Sequence, residues 1–142
     1  MIGLGIIVAH LLADYVLQND WMAREKTKRW TPAVVHGYVH LLVYAALFVI
    51  LDVDASFLSV MTALLVIGGT HTLIDRYRLA KHVIWAVNQV APRGERYPWS
   101  QARENGGYAA GKPAWMSTWL MIIVDNTMHL TINALVIGLV IL

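Results

Sequence analysis

The chain has 142 residues, of which 58% are hydrophobic and 14% are charged. Soluble domains have about 45–50% apolar and about 25% charged residues, so this composition indicates a single transmembrane domain over residues 1–142. The absence of cysteine excludes disulfides, thiolate metal sites and cysteine nucleophiles, and a formal net charge of +2 is too small to indicate a nucleic-acid partner.

Four apolar segments are predicted to cross the bilayer, which takes about 20 helical residues. Residues 1–9 lack the basic segment of a signal peptide, so we expect the first span to be retained. The predicted fold class is therefore all-α, an integral membrane four-helix bundle. In chain order the predicted spans cover residues 2–18, 33–51, 57–77 and 114–142.

The basic residues are confined to two of the connections between these spans. All eleven Lys and Arg residues lie within residues 19–31 or 76–112, whereas residues 52–56 contain two Asp and no basic residue. With four spans the two basic stretches lie on the same side, which the positive-inside rule assigns to the cytoplasm. We therefore expect a protein of the bacterial inner membrane with both termini in the periplasm and a cytoplasmic loop at residues 78–113.

Each predicted span contains one pair of polar residues four positions apart. Residues i and i+4 lie on one helix face, and a single helix can offer two ligands to one metal ion at this spacing. Given the predicted topology, all four pairs are expected to meet in the cytoplasmic half of the bundle. The pairs are His10 with Asp14, His36 with His40, His71 with Asp75, and Asp125 with His129.

The three aspartates of these pairs need a compensating partner inside the membrane. An Asp at the centre of a spanning helix costs roughly 2.5–3.5 kcal/mol, so three unpaired aspartates would cost roughly 8–10 kcal/mol. No Lys or Arg lies within a predicted span except Arg76, at the edge of the third. The remaining compensators are protonated histidine, neutral carboxylic acid or a divalent metal. We expect all eight paired residues to be ligands of one or two ions of Zn, with Mn and Fe(II) as alternatives.

The string HLLADYVLQ from His10 to Gln18, together with the other three pairs, resembles a family of small bacterial and phage integral membrane proteins of unknown function. That family carries an N-terminal H-x-x-x-D-x-x-x-Q motif, and the resemblance covers nearly the whole chain. It implies a membrane location, is compatible with a phage or prophage origin, and implies no established activity. The polar pairs are also loosely similar to those of membrane-bound metal-dependent hydrolases.

These patterns favour a membrane-embedded metal-dependent hydrolase that acts from the cytoplasmic side on a lipid-linked or amphipathic phosphoester. A two-metal centre activates water and holds a phosphoryl group, and Asp14, Asp75 or Asp125 would serve as the catalytic base. The expected partners are membrane lipid, the substrate and further copies of the chain.

Three other functions stay open. The first is a metal or proton transporter that uses the same His and Asp residues. The second is a non-enzymatic phage membrane protein of exclusion or lysis, in which the polar residues form interhelical hydrogen bonds. The third is an oxidase with two irons, although enzymes of that kind typically use more histidines.

Overall fold

The computed structural model describes residues 2–141, and within this range the chain forms helices and no β-strand. The predicted all-helical class is confirmed. π-Helical turns follow the first and last helices at Leu12–Val16 and Ile137–Ile141, and a short 3₁₀ turn occupies Arg93–Glu95. The helices are α1 (Ile2–Leu11), α2 (Asp20–Glu25), α3 (Trp30–Ile50), α4 (Phe57–Tyr77), α5 (Leu79–Asn88), α6 (Trp99–Ala102) and α7 (Ala114–Val136).

The lengths of these helices agree with a membrane protein. The apolar helix Ile2–Val16 is shorter than the other apolar helices, with a rise of about 22 Å against a hydrocarbon core of about 30 Å. The membrane crossing by the first predicted span and the periplasmic location of the termini therefore stay predictions. Leu142, the last residue of the fourth predicted span, lies outside the described residues. Three helices are long and apolar enough to cross a membrane, and they match the second, third and fourth predicted spans: Trp30–Ile50, Phe57–Tyr77 and Ala114–Ile141.

The chain divides into two compact units, the first of residues 2–77 and 129–141 and the second of residues 78–128. In the first unit α3 and α4 approach closely where Gly37 faces Gly68. A Cβ on Gly37 would collide with the hydroxyl of Thr72 and lie 2.8 Å from the carbonyl oxygen of Gly68. Small residues allow this approach of helix backbones. The apolar core beside it consists of Ile6, Ala9, Tyr44, Phe48, Ala63, Leu64, Ile67, Ile137 and Ile141.

The second unit contains ordered structure in the connection that the sequence predicts as a cytoplasmic loop, of which residues 76–90 alone are expected to be helical. Helices α5 and α6 lie within residues 78–113. The side chain of Asn105 donates to the carbonyl oxygens of Ala109 and Lys112 at 2.7 and 2.9 Å, and it accepts from the Ser117 hydroxyl at 2.5 Å. Gly107 has a φ of +91°, and a Cβ there would lie 2.6 Å from the Lys81 carbonyl oxygen. The glycine is thus required by a turn and by a close contact.

Candidate metal centre

Seven of the eight predicted ligands converge in the interior of the first unit. The i,i+4 spacing places two of them on one face of α3 and two on one face of α4, and these faces point at the same region. Each of the seven residues is at most 7% exposed. They are His10 and Asp14 from α1 and its extension, His36 and His40 from α3, His71 and Asp75 from α4, and His129 from α7.

The carboxylate of Asp14 forms one focus of this cluster. Asp14 lies in the π-helical turn Leu12–Val16, and π turns are rare and frequent at functional sites. Its Oδ1 atom lies 3.0 Å from Nε2 of His36 and 3.1 Å from Nε2 of His40. Its Oδ2 atom lies 3.2 Å from Nε2 of His10. One carboxylate therefore contacts imidazoles from α1 and α3.

The carboxylate of Asp75 forms the second focus. Its Oδ2 atom lies 3.1 Å from Nε2 of His71 and 3.3 Å from Nε2 of His36. Its Oδ1 atom lies 3.6 Å from Nε2 of His129. His71 also approaches Asp14, with 3.4 Å between Nε2 and Oδ1. The imidazole of His71 therefore contacts both carboxylates.

The spacing of the donor atoms fits metal coordination. Donors around a tetrahedral zinc ion with bonds of about 2.0–2.1 Å are about 3.3–3.4 Å apart. Here the close contacts between donor atoms run from 3.0 Å between Nε2 of His36 and His71 to 3.6 Å between His129 and Asp75. These buried groups could hold a metal ion. Two sets of donor atoms each lie within 4.8 Å of one another: Asp14, His36, His40 and His71, and then His71, Asp75 and His129.

Nε2 of His36 has more close polar neighbours than it can form hydrogen bonds. A ring nitrogen carries either one proton or one lone pair, so it makes one directed hydrogen bond. Nε2 of His36 nevertheless has four polar atoms within 3.3 Å, and a central cation would satisfy several of them at once. The four atoms are Asp14 Oδ1, His71 Nε2, Lys26 Nζ and Asp75 Oδ2.

Lys26 is a residue of the site that the spacing of residues in the sequence does not predict. Its Nζ atom lies 2.7 Å from Oδ2 of Asp75 and 3.1 Å from Nε2 of His36. The expectation that no lysine or arginine could compensate the aspartates is therefore wrong for Asp75. That expectation considered only charges within spans, whereas the long stem of a lysine on a connecting segment can carry its ammonium inward.

Two uncharged polar side chains lie one helical turn beyond the cluster. Tyr44 follows His40 on α3, and Asn133 follows His129 on α7. The Tyr44 hydroxyl donates to the carbonyl oxygen of Ile6 at 3.0 Å and accepts from the Asn133 amide at 2.8 Å. Beyond them the apolar helices contain no His, Asp, Glu, Lys or Arg, so within the described residues the cluster does not continue as a ladder of such groups.

The structure does not bring Asp125 into either set of donor atoms. It is half-buried on α7, one turn before His129, and belongs to the second unit. Its role as ligand or base stays a prediction.

The comparisons with known proteins identify a family and no activity. The family model described as "Protein of unknown function (DUF3307)" matches residues 3–142. No curated protein and no solved structure matches the chain. The chain belongs to the DUF3307 family.

Proposed function

We propose that this member of the DUF3307 family is a membrane-embedded, metal-dependent hydrolase. It would act from the cytoplasmic side of the bacterial inner membrane on a lipid-linked or amphipathic phosphoester. One observation carries the proposal. Five imidazoles and two carboxylates converge at the separations of metal donors, inside helices that are apolar enough to cross a membrane.

The charge of the cluster supports a bound cation. Two carboxylates lie in the interior, and the ammonium of Lys26 is the one Lys or Arg group in contact with them among the described residues. A buried charge without a partner is costly, so the second carboxylate needs a protonated imidazole or a metal. The imidazole Nε2 atoms face the carboxylates and each other, which is the arrangement of ligands around an ion.

A divalent ion at this centre would supply a Lewis acid and a bound water of lowered pKa, which suits phosphoester hydrolysis. The chain itself would hold the ligands in place and exclude bulk water, since each of the seven residues is at most 7% exposed. Electrostatic stabilisation is stronger in such an interior than in water. Mixed imidazole and carboxylate ligation favours zinc, with manganese and iron as alternatives. The two sets of donor atoms share His71, so their six residues would hold one ion fully, or two ions that a carboxylate bridges.

The position of the cluster along the helices supports access from the cytoplasmic side. His36 lies in the second turn of α3 and His40 at its midpoint, and His71 and Asp75 lie in the last two turns of α4. Both helix ends adjoin the basic connections, which the positive-inside rule assigns to the cytoplasm. A substrate that reaches a site at this depth would carry an apolar part. Hydrolysis is favoured over transport because the apolar helices have no charged or imidazole group beyond the cluster.

Elemental analysis of protein purified without chelator tests the metal. We expect about one or two equivalents of metal in the wild type and a loss of metal in His40→Ala and Asp75→Ala. His82→Ala is the matched control, because His82 lies in the second unit and stacks on Trp99. Full metal content in both ligand variants, or none in the wild type, would contradict the proposal.

Phosphate release from a synthetic prenyl or diacyl phosphoester in mixed micelles tests the reaction. We expect zinc-dependent release by the wild type and by His82→Ala, and none by His40→Ala. A metal-loaded protein that releases no phosphate but moves the ion across a liposome membrane would instead be a transporter. A protein that binds no metal would instead use the polar residues for interhelical hydrogen bonds, as a non-enzymatic membrane protein.

A further inference from the structure

Lys26 stands at the more accessible edge of the metal centre. Its side chain is 15% exposed, compared with 10% for Asp14 and 5% for Asp75. The imidazoles that contact Lys26 or these carboxylates are 0–1% exposed. Among the described residues of the cluster, Lys26 therefore has the most exposed side chain, although its ammonium lies against buried groups.

The segment that carries Lys26 is fixed in place from both sides. Upstream, the side chain of Asn19 accepts a hydrogen bond from the backbone N–H of Met22 and caps α2. Downstream, Arg76 donates to the carbonyl oxygen of Thr27 at 2.8 Å. The Arg76 guanidinium also lies 5.5 Å from the ring centroid of Trp30, a cation–π distance. The backbone beside Lys26 is thus held while its long side chain can change rotamer.

The ammonium and a metal ion would compete for the same lone pairs. Nζ of Lys26 lies within hydrogen-bond distance of Oδ2 of Asp75 and Nε2 of His36, and both atoms belong to the proposed ligand set. One divalent ion balances the charge of the two carboxylates, which leaves the ammonium without a negative partner. Two positive groups at this separation repel each other strongly in an interior of low dielectric constant. The ammonium would therefore leave Asp75 when metal binds.

We propose that Lys26 is the oxyanion-binding residue of this centre, displaced from Asp75 by the metal and then paired with a phosphoryl oxygen at the edge of the site. The inference rests on the proposed function and deepens it by assigning the charged part of the substrate. The ammonium has three donors and a flexible stem, so it can follow an anion that also contacts the metal. The divalent ion, the two carboxylates, the ammonium and one singly charged phosphoryl oxygen would then sum to zero charge.

Lys26→Gln tests this assignment because it should change two affinities in opposite directions. The variant lacks the competing ammonium, so we expect it to bind zinc about ten- to a hundredfold more tightly, the effect of one hydrogen bond to a charged group. The zinc-loaded variant should bind inorganic phosphate more weakly by a similar factor. Lys26→Arg keeps the charge and should retain phosphate binding. Lys28→Gln is the matched control, since Lys28 is exposed and pairs with Glu25, and both affinities should stay unchanged.

A second arm identifies the source of the oxyanion. If phosphatidic acid in phosphatidylcholine nanodiscs displaces inorganic phosphate from the wild type far more effectively than phosphatidylcholine alone, the ligand is a lipid phosphate. If phosphatidic acid has no such effect, the ligand is a soluble phosphate compound. In both cases phosphate binding must depend on Lys26.

Amine labelling of the wild type keeps the test valid if Lys26→Gln does not fold. An amine-selective reagent, with modification read by mass spectrometry, should modify Lys26 slowly without metal, faster with zinc, and slowly again after phosphate is added. Lys28 should react equally in all three states. Two results would overturn the inference but leave the hydrolase proposal standing. One is zinc binding without any change in the labelling rate of Lys26, and the other is a folded Lys26→Gln whose affinities for zinc and for phosphate both equal those of the wild type. A wild type that binds no zinc would overturn both.

Discussion

Asp75→Asn removes one negative charge at the centre of the cluster while it keeps the shape of the side chain. In the absence of metal, Asp75 pairs with Lys26 at 2.7 Å and lies 3.1 Å from His71. Breaking a fully buried ion pair by removing one partner costs about 3–5 kcal/mol. Lys26 is 15% exposed and can turn its ammonium toward solvent, so we expect the lower end of this range or slightly less, about 2–3 kcal/mol.

A double-mutant cycle with Lys26→Gln isolates this pair. The double variant has neither the carboxylate nor the unpaired ammonium, so its loss of stability should be smaller than the sum of the two single losses by about 2 kcal/mol. The free energy of unfolding of chelator-treated protein in detergent micelles measures the cycle. Asp54→Asn, an exposed substitution in the connection between α3 and α4, is the control and should cost less than about 0.5 kcal/mol. Additive losses from the two single variants would refute the proposed pairing.

Three further predictions follow from the same packing. Chelation should lower the free energy of unfolding of the wild type, and zinc at a hundred times its Kd should raise it again by about 2.7 kcal/mol. Equal melting temperatures with chelator and with zinc would contradict a bound ion. Tyr44→Phe leaves the buried amide of Asn133 without its partner and should cost about 1–3 kcal/mol, while elemental analysis should find unchanged metal content. Gly37→Ala places a methyl group against Thr72 and should cost about 1–3 kcal/mol, whereas Gly69→Ala, which meets no atom within 4 Å, should not destabilise the fold.

The sequence predicted seven of the converging side chains because helix geometry is regular. A separation of four residues places two side chains on one face whatever the surroundings, as for His36 with His40 and for His71 with Asp75. Polar pairs in apolar helices must also face one another and not lipid. These two facts were enough to predict that residues from separate helices would meet.

The rest of the site depends on information that residue spacing does not contain. The contact of Lys26 depends on how the α2–α3 connection folds back, which only the tertiary structure defines. The π-helical turn that presents Asp14 breaks the regular period. Asp125 shares the four-residue spacing with His129 but belongs to neither set of donor atoms. The sequence predicts a loop in the glycine-rich part of residues 78–113. The turns and single side-chain hydrogen bonds that order this part leave no periodic pattern in the sequence.

X-ray absorption at the zinc edge of protein purified without chelator tests whether the buried imidazoles and carboxylates bind a metal ion. We expect nitrogen and oxygen ligands at about 2.0–2.2 Å, with the outer-shell scattering of several imidazole rings and no sulfur. That imidazole scattering should weaken in His71→Ala, because His71 belongs to both sets of donor atoms. A spectrum of hydrated zinc without imidazole scattering, or protein without any bound transition metal, would contradict it.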